Sequence, residues 1–168
     1  MSLTPATERD LDIMELQLGR PMRDVVGIAA RCVCGAPTVV STKPRLTDGT
    51  PFPTFYYLTH PAATAAISTL EANGFMAVEQ AKLAEDDELR AKYESAHRAY
   101  IADRDAYGEV PEIDGISAGG MPNRVKCLHA LAGHSLAAGP GVNPIGDAAL
   151  EACSWTPTVC ACSVDARG

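Results

Sequence analysis

PNRVKCLHALAGHSLAA, residues 122–138, is the stretch that decides the fold. From Val125 to Ala138 it carries a single fixed charge, Lys126. At about 100° per residue, Val125, Leu128, Ala132 and Leu136 share one side of a helix. Cys127, Leu131, His134 and Ala138 share the opposite side. A helix that is apolar on both sides is buried all round, so the segment predicts a central helix over about 122–138. Pro122 suits its first turn, Gly139-Pro140-Gly141 stops it, and Gly133 lets a neighbour approach closely.

Working outward from that helix gives an α+β domain. Thr7, with Asp10 three residues on, predicts the cap of a short helix carrying Leu11, Met14 and Leu18, ended by Gly19 and Pro21. Val25 to Ala30, Thr38 to Thr42 and Thr54 to Thr59 read as three strands with short connections, hence a small, mostly antiparallel N-terminal sheet. Pro61 starts a helix that Gly74 stops. A charged helix follows over about 85–107, with Asp86–Arg90, Glu88–Lys92 and Glu94–Arg98 as acid-first i,i+4 pairs. A short helix over about 147–152 follows a turn capped by Asp147. The expectation is one domain over residues 1–168, with 154–168 a loosely packed tail apart from Trp155.

Composition narrows the function classes. The chain has 168 residues, and its formal net charge of −7 disfavours a broad phosphate-neutralising surface, so nucleic acid is not expected as a partner. Val125 to Ile145, the longest weakly charged stretch, is too interrupted for the ~20 apolar residues of a spanning helix, so no membrane partner is expected. The N-terminal residues lack a basic start followed by an apolar run, and the expected location is the cytoplasm. In that compartment the 6 Cys are reduced thiols or metal ligands rather than disulfides.

Zinc takes N and S donors that converge tetrahedrally from distant parts of a chain. Cys32 and Cys34 leave one strand end, His60 leaves another, and Cys127 lies at the central helix. These four are the candidate ligands for zinc or an iron–sulfur cluster, with His60 as the fourth. The one-residue gap in Cys32-Val33-Cys34 is tighter than usual zinc spacing, and buried structural thiols are the competing reading. His129 points about 160° away from Cys127 in a regular helix, so the two share an ion only if the first turn is irregular. Cys127 and His134, two turns apart, are too distant to share one. Cys160-Ala161-Cys162 repeats the tight spacing; it either completes a four-cysteine site with Cys32 and Cys34 or is an idle pair, the latter being usual at a mobile chain end. Cys34 or Cys127 with His60 or His129 as base would make a nucleophilic enzyme.

Two further segments carry weaker signals. Gly119-Gly120 leads into the expected helix start, where Arg124 and Lys126 would help free amides hold a phosphate or carboxylate. That makes Gly119, Gly120, Arg124 and Lys126 a candidate site for an anionic small molecule, against the plainer reading of a loop-to-helix cap. Asp48 and Thr50 would line a pocket beside His60, against the plainer reading of a proline-bracketed core strand.

Taken together, Arg31-Cys32-x-Cys34-Gly35, the run Gly49 to Thr54 leading into Leu58-Thr59-x-Pro61, Gly119-Gly120 and Val125-Lys126-Cys127-Leu128-His129 resemble the bacterial family known as domain of unknown function 501. Asn143-Pro144-x-Gly146 extends the likeness, which covers about residues 11–150. The family has no established activity, so the resemblance implies no reaction. It often has Cys where this chain has His60, and that exchange keeps a zinc ligand while suiting an iron–sulfur cluster less well. The leading expectation is a metal-binding protein. One alternative is a small enzyme or sensor for a phosphorylated or carboxylated molecule. The other is a non-catalytic interaction module using the charged helix.

Overall fold

The computed structural model describes residues 3–167. Helix α1, Glu8–Leu18, begins with the expected reciprocal cap. The Thr7 hydroxyl accepts from the Asp10 amide at 3.1 Å, and the Asp10 carboxylate accepts from the Thr7 amide at 2.9 Å. Strands β1 (Val25–Arg31), β2 (Pro37–Thr42) and β3 (Tyr56–Leu58) form an antiparallel sheet in the order β1-β2-β3. The central strand, β2, is buried along its whole length.

Helix α2, Pro61–Ala72, opens on Pro61 as expected, and His60 caps it through Nδ1, which accepts from the Ala63 amide at 3.4 Å. Gly74 does not simply stop α2: it stands at the start of α3, Phe75–Glu85, a helix the periodicity reading left out. Helix α4, Asp87–Asp105, keeps the pairs Glu88–Lys92 at 2.9 Å and Glu94–Arg98 at 3.0 Å. The third expected pair is exchanged, because Asp86 caps α4 at the Leu89 amide and Arg90 turns to Asp87.

Helix α5 runs Leu128–Ala138 and is the buried centre, but it starts six residues later than the apolar run suggests. The physical reason lies outside the segment. Lys126 and Arg124 donate to the carbonyls of Gly119 and Gly120, the Val125 amide donates to the Gln80 side chain, and the Leu128 amide donates to Glu71. These bonds take up amides that a longer helix would have to satisfy itself.

Helix α6, Pro144–Ala152, is capped by Asn143, whose side chain accepts from Gly146 at 3.0 Å; Asp147 instead accepts from the Gly141 amide in the preceding turn. A Cβ on Gly146 would lie 2.2 Å from the Leu131 carbonyl oxygen, so only glycine lets α6 seat on α5. On the other side, Gly133 brings α5 against the Tyr56 carbonyl of β3.

The main core gathers Val39, Phe55, Tyr56, Ile67, Tyr100, Leu128, Leu131 and Ile145 around α5. Arg104 is fully buried beside it. Its guanidinium donates to the carbonyls of Pro53, Ile113 and Ile116, which fastens the irregular 110–117 segment to α4. A second, smaller cluster of Ile13, Cys32, Ala36, Cys162 and Ala166 lies under the β1–β2 turn. Residues 154–167 therefore do not hang free: Trp155, Cys162 and Ala166 are buried, and the short helix α7, Val164–Arg167, packs against α1. Among the described residues, no helix is long and apolar enough to cross a membrane.

Candidate metal centre

The β1–β2 turn is short because the Cys32 amide donates to the Ala36 carbonyl and Gly35 takes a positive φ of 93°. That geometry turns Cys32 and Cys34 to the same end of the sheet. The C-terminal strap meets them there: the Val33 amide donates to the Pro157 carbonyl at 3.2 Å, and Cys160 and Cys162 follow. The sulfurs of Cys32, Cys34, Cys160 and Cys162 all lie within 4.8 Å of one another, and those of Cys34 and Cys162 are 3.5 Å apart. Four thiols so placed could hold one metal ion. Sulfurs bound to one tetrahedral zinc at ~2.3 Å sit about 3.8 Å apart, which these positions fit.

His60 stands beside this group. Its Nδ1 accepts from Ala63, so Nε2 keeps the proton and donates to the Cys162 sulfur at 3.1 Å. The residue expected as a fourth ligand is thus hydrogen-bonded to one of the sulfurs. Burial lowers its pKa and favours the neutral ring that this arrangement needs.

The thiols titrate unequally. Burial pushes the Cys34 thiol up, but hydrogen bonds from the Ala36 amide and from Cys162, Cys160 and Cys32 outweigh it and bring the pKa to about 7. Burial raises Cys32 and Cys162, and their sulfur neighbours raise Cys162 further. Crowded sulfurs can carry one negative charge easily and a second only with difficulty; a dication removes that conflict. A cavity of about 390 Å³ lined by Gln17, His60, Cys162 and Ala166 adjoins the group.

Cys127 is elsewhere. The structure groups it with Glu71 and His129, whose ligand atoms again lie within 4.8 Å of one another, and Cys32 and Cys34 find their partners in the strap instead. Cys127 sits at the extended residue before α5, with φ −146° and ψ 104°, which is the irregular first turn that lets it meet His129. Cys127 and His129 are hydrogen-bonded; this lowers the thiol pKa and raises that of the imidazole. His134 lies on α5 away from both groups, stacked on Tyr56 with Nδ1 3.1 Å from the Asn143 amide.

The expected anion cradle does not take the expected form. No helix begins at Pro122, the Gly119 and Gly120 carbonyls accept from the Lys126 and Arg124 amides, and the start of α5 is already occupied by the Glu71 carboxylate. Arg124 and Lys126 are exposed. Asp48 lines a cavity of about 810 Å³ with Arg20, Arg23 and Tyr57, apart from the cavity beside His60.

Residues 28–151 match the model of a family described as protein of unknown function (DUF501), and the chain belongs to that family. No curated protein and no solved structure matches it. Cys160 and Cys162 lie beyond the matched residues. The repeated one-residue spacing, Cys32-x-Cys34 and Cys160-x-Cys162, offers this four-cysteine grouping beside the reading of an idle pair, and the structure brings the four together.

Proposed function

We propose that this member of the DUF501 family is a zinc-binding protein, with one ion held by Cys32, Cys34, Cys160 and Cys162. The observation that carries the reading is the convergence of four sulfurs from the two ends of the chain within 4.8 Å. Iron–sulfur clusters distribute their cysteines over separate iron atoms and need wider spacing, so a single ion suits the geometry better. With all four positions supplied by thiolates the ion is structural: it ties the C-terminal strap to the β1–β2 turn. The peptide amides of Cys34 and Ala36 and the His60 Nε2–H are the donors that support the charged sulfurs. Reduced thiols of this kind belong to a reducing compartment, in keeping with a cytoplasmic protein.

The test is elemental analysis of protein purified without an affinity metal, beside Cys32→Ser and Cys162→Ser. Each variant is expected to lose one zinc per chain relative to the wild type and to leave the strap open to protease. Equal zinc in all three would refute the reading, as would a stable Cys34–Cys162 disulfide in the reduced-purified protein.

A further inference from the structure

We propose that Glu71, Cys127 and His129 form a second metal site, for a divalent ion of the zinc type, with one coordination position open to solvent.

The argument begins at the imidazole. His129 Nε2 lies 3.2 Å from the Thr64 carbonyl oxygen and 3.0 Å from the Ser68 hydroxyl. A carbonyl only accepts, so the ring proton belongs on Nε2. Nδ1 then presents a lone pair, and what it faces is Glu71 Oε1 at 3.1 Å. In the neutral ring these two lone pairs can share one metal ion, which would take the place of the proton that otherwise makes the contact an ordinary Glu71–His129 ion pair. The Cys127 sulfur, within 4.8 Å of both, adds a third donor.

Each donor is held from behind. Glu71 keeps Oε2 on the Leu128 amide at 3.0 Å, which leaves Oε1 free to ligate. His129 is anchored through Nε2, the usual arrangement for a metal-bound imidazole. Cys127 is fixed by the extended turn that starts α5. Nitrogen, oxygen and sulfur bound to one tetrahedral ion at ~2.0–2.3 Å sit roughly 3.3–3.6 Å apart, close to what is observed between Nδ1 and Oε1. Thiolate and carboxylate together carry two negative charges, which a dication neutralises.

The two groups differ in kind. The four cysteines close their coordination sphere, whereas Glu71, Cys127 and His129 supply three ligands. The His129 and Glu71 side chains are 26% and 23% exposed, so water can reach the ion. Three protein ligands plus water is the arrangement in which a metal activates its water or takes an anionic oxygen from a ligand.

The experiment loads the whole protein with zinc, removes loosely held metal by gel filtration and counts zinc per chain. Wild type is expected to hold two, Cys127→Ala and Glu71→Gln one each, Cys162→Ser one, and Cys127→Ala combined with Cys162→Ser none. Cobalt(II) in place of zinc adds a readout on the unmutated chain: a one-thiolate absorption component beside the four-thiolate one, with only the former shifted by added azide. If Cys127→Ala and Glu71→Gln hold as much zinc as the wild type, the proposal is overturned. A wild-type cobalt spectrum without the one-thiolate component overturns it too, whether or not the variants fold. Zinc that is lost in Cys127→Ala but kept in Cys162→Ser would uphold this site and refute the four-cysteine one.

Discussion

The core around α5 and the small cluster under the β1–β2 turn hold their parts together by different means. Around α5, large apolar and aromatic side chains from the sheet, α2, α4, α5 and α6 close on one another, and Leu128, Leu131, Tyr56 and Tyr100 are fully buried. Under the turn, Ile13, Ala36 and Ala166 bury little area, and the remaining members, Cys32 and Cys162, are thiols. Apolar burial stabilises by roughly 25 cal/mol per Å², so the second region, with Ile13 as its one large aliphatic side chain, draws far less from it than the first. The strap is a place where a metal can substitute for a core that is too small, as in other minimal clusters. The contrast predicts two separable units: a core that survives metal removal and a strap that does not.

The largest effect should come from the core. Leu131→Ala removes a fully buried side chain between Gly119, α5 and α6, and is expected to cost about 3–4 kcal/mol in urea unfolding. A cost below that of the strap variants would break the division between the two regions. Arg104→Met should follow at about 3 kcal/mol, since three carbonyls lose a charged donor inside the protein. Hydrogen exchange should show that loss concentrated in residues 110–117.

Acid should weaken the core and the α1–turn contact in different windows. Burial holds the His134 pKa down at about 4, from 6.5 in the unfolded chain. The folded state therefore binds fewer protons than the unfolded one between those values. Stability contributed by His134 is complete above pH 6.5 and lost as pH falls towards 4, about 3 kcal/mol in all. Urea titrations of metal-free protein at pH 7 and 4.5 check this, and a flat profile would contradict it. At the turn, the Arg31 hydrogen bonds, partly opposed by burial, lower the Asp10 pKa from 3.8 to about 2. The carboxylate contributes roughly 2 kcal/mol above pH 3.8, lost as pH falls through 2. Asp10→Asn should cost about that much at pH 7 and only a small fraction of it at pH 2, a smaller effect confined to α1 and the turn.

Much of this fold was legible where a local pattern states its own physics. Thr7 and Asp10 announce their cap, Pro61 the start of α2, and the β-branched runs the sheet. The late start of α5 was not legible, because the groups that satisfy residues 125–128, Gln80 and Glu71, come from other helices. Gly74 misled for a related reason: a residue suited to ending one helix also serves to begin another. At the candidate centre, Cys32 and Cys34 were legible from their turn. The repeated Cys-x-Cys spacing offers their partnership with the strap only as one of two readings, because the choice rests on a contact between residues 128 positions apart, Cys34 and Cys162, which no local pattern decides. Cys127 was grouped with Cys32 and Cys34, while a pairing with His129 required an irregular first turn; the extended residue before Leu128 supplies that turn and brings those two together.

The central claim is that one ion joins the two chain ends. Native mass spectrometry of the wild type beside a Cys160→Ser, Cys162→Ser double variant tests it most directly, with limited proteolysis read on the same samples. The account predicts that the double variant carries one zinc fewer and is trimmed after about residue 153, while the remainder stays folded. An unchanged zinc count, with the strap still protected, would contradict it.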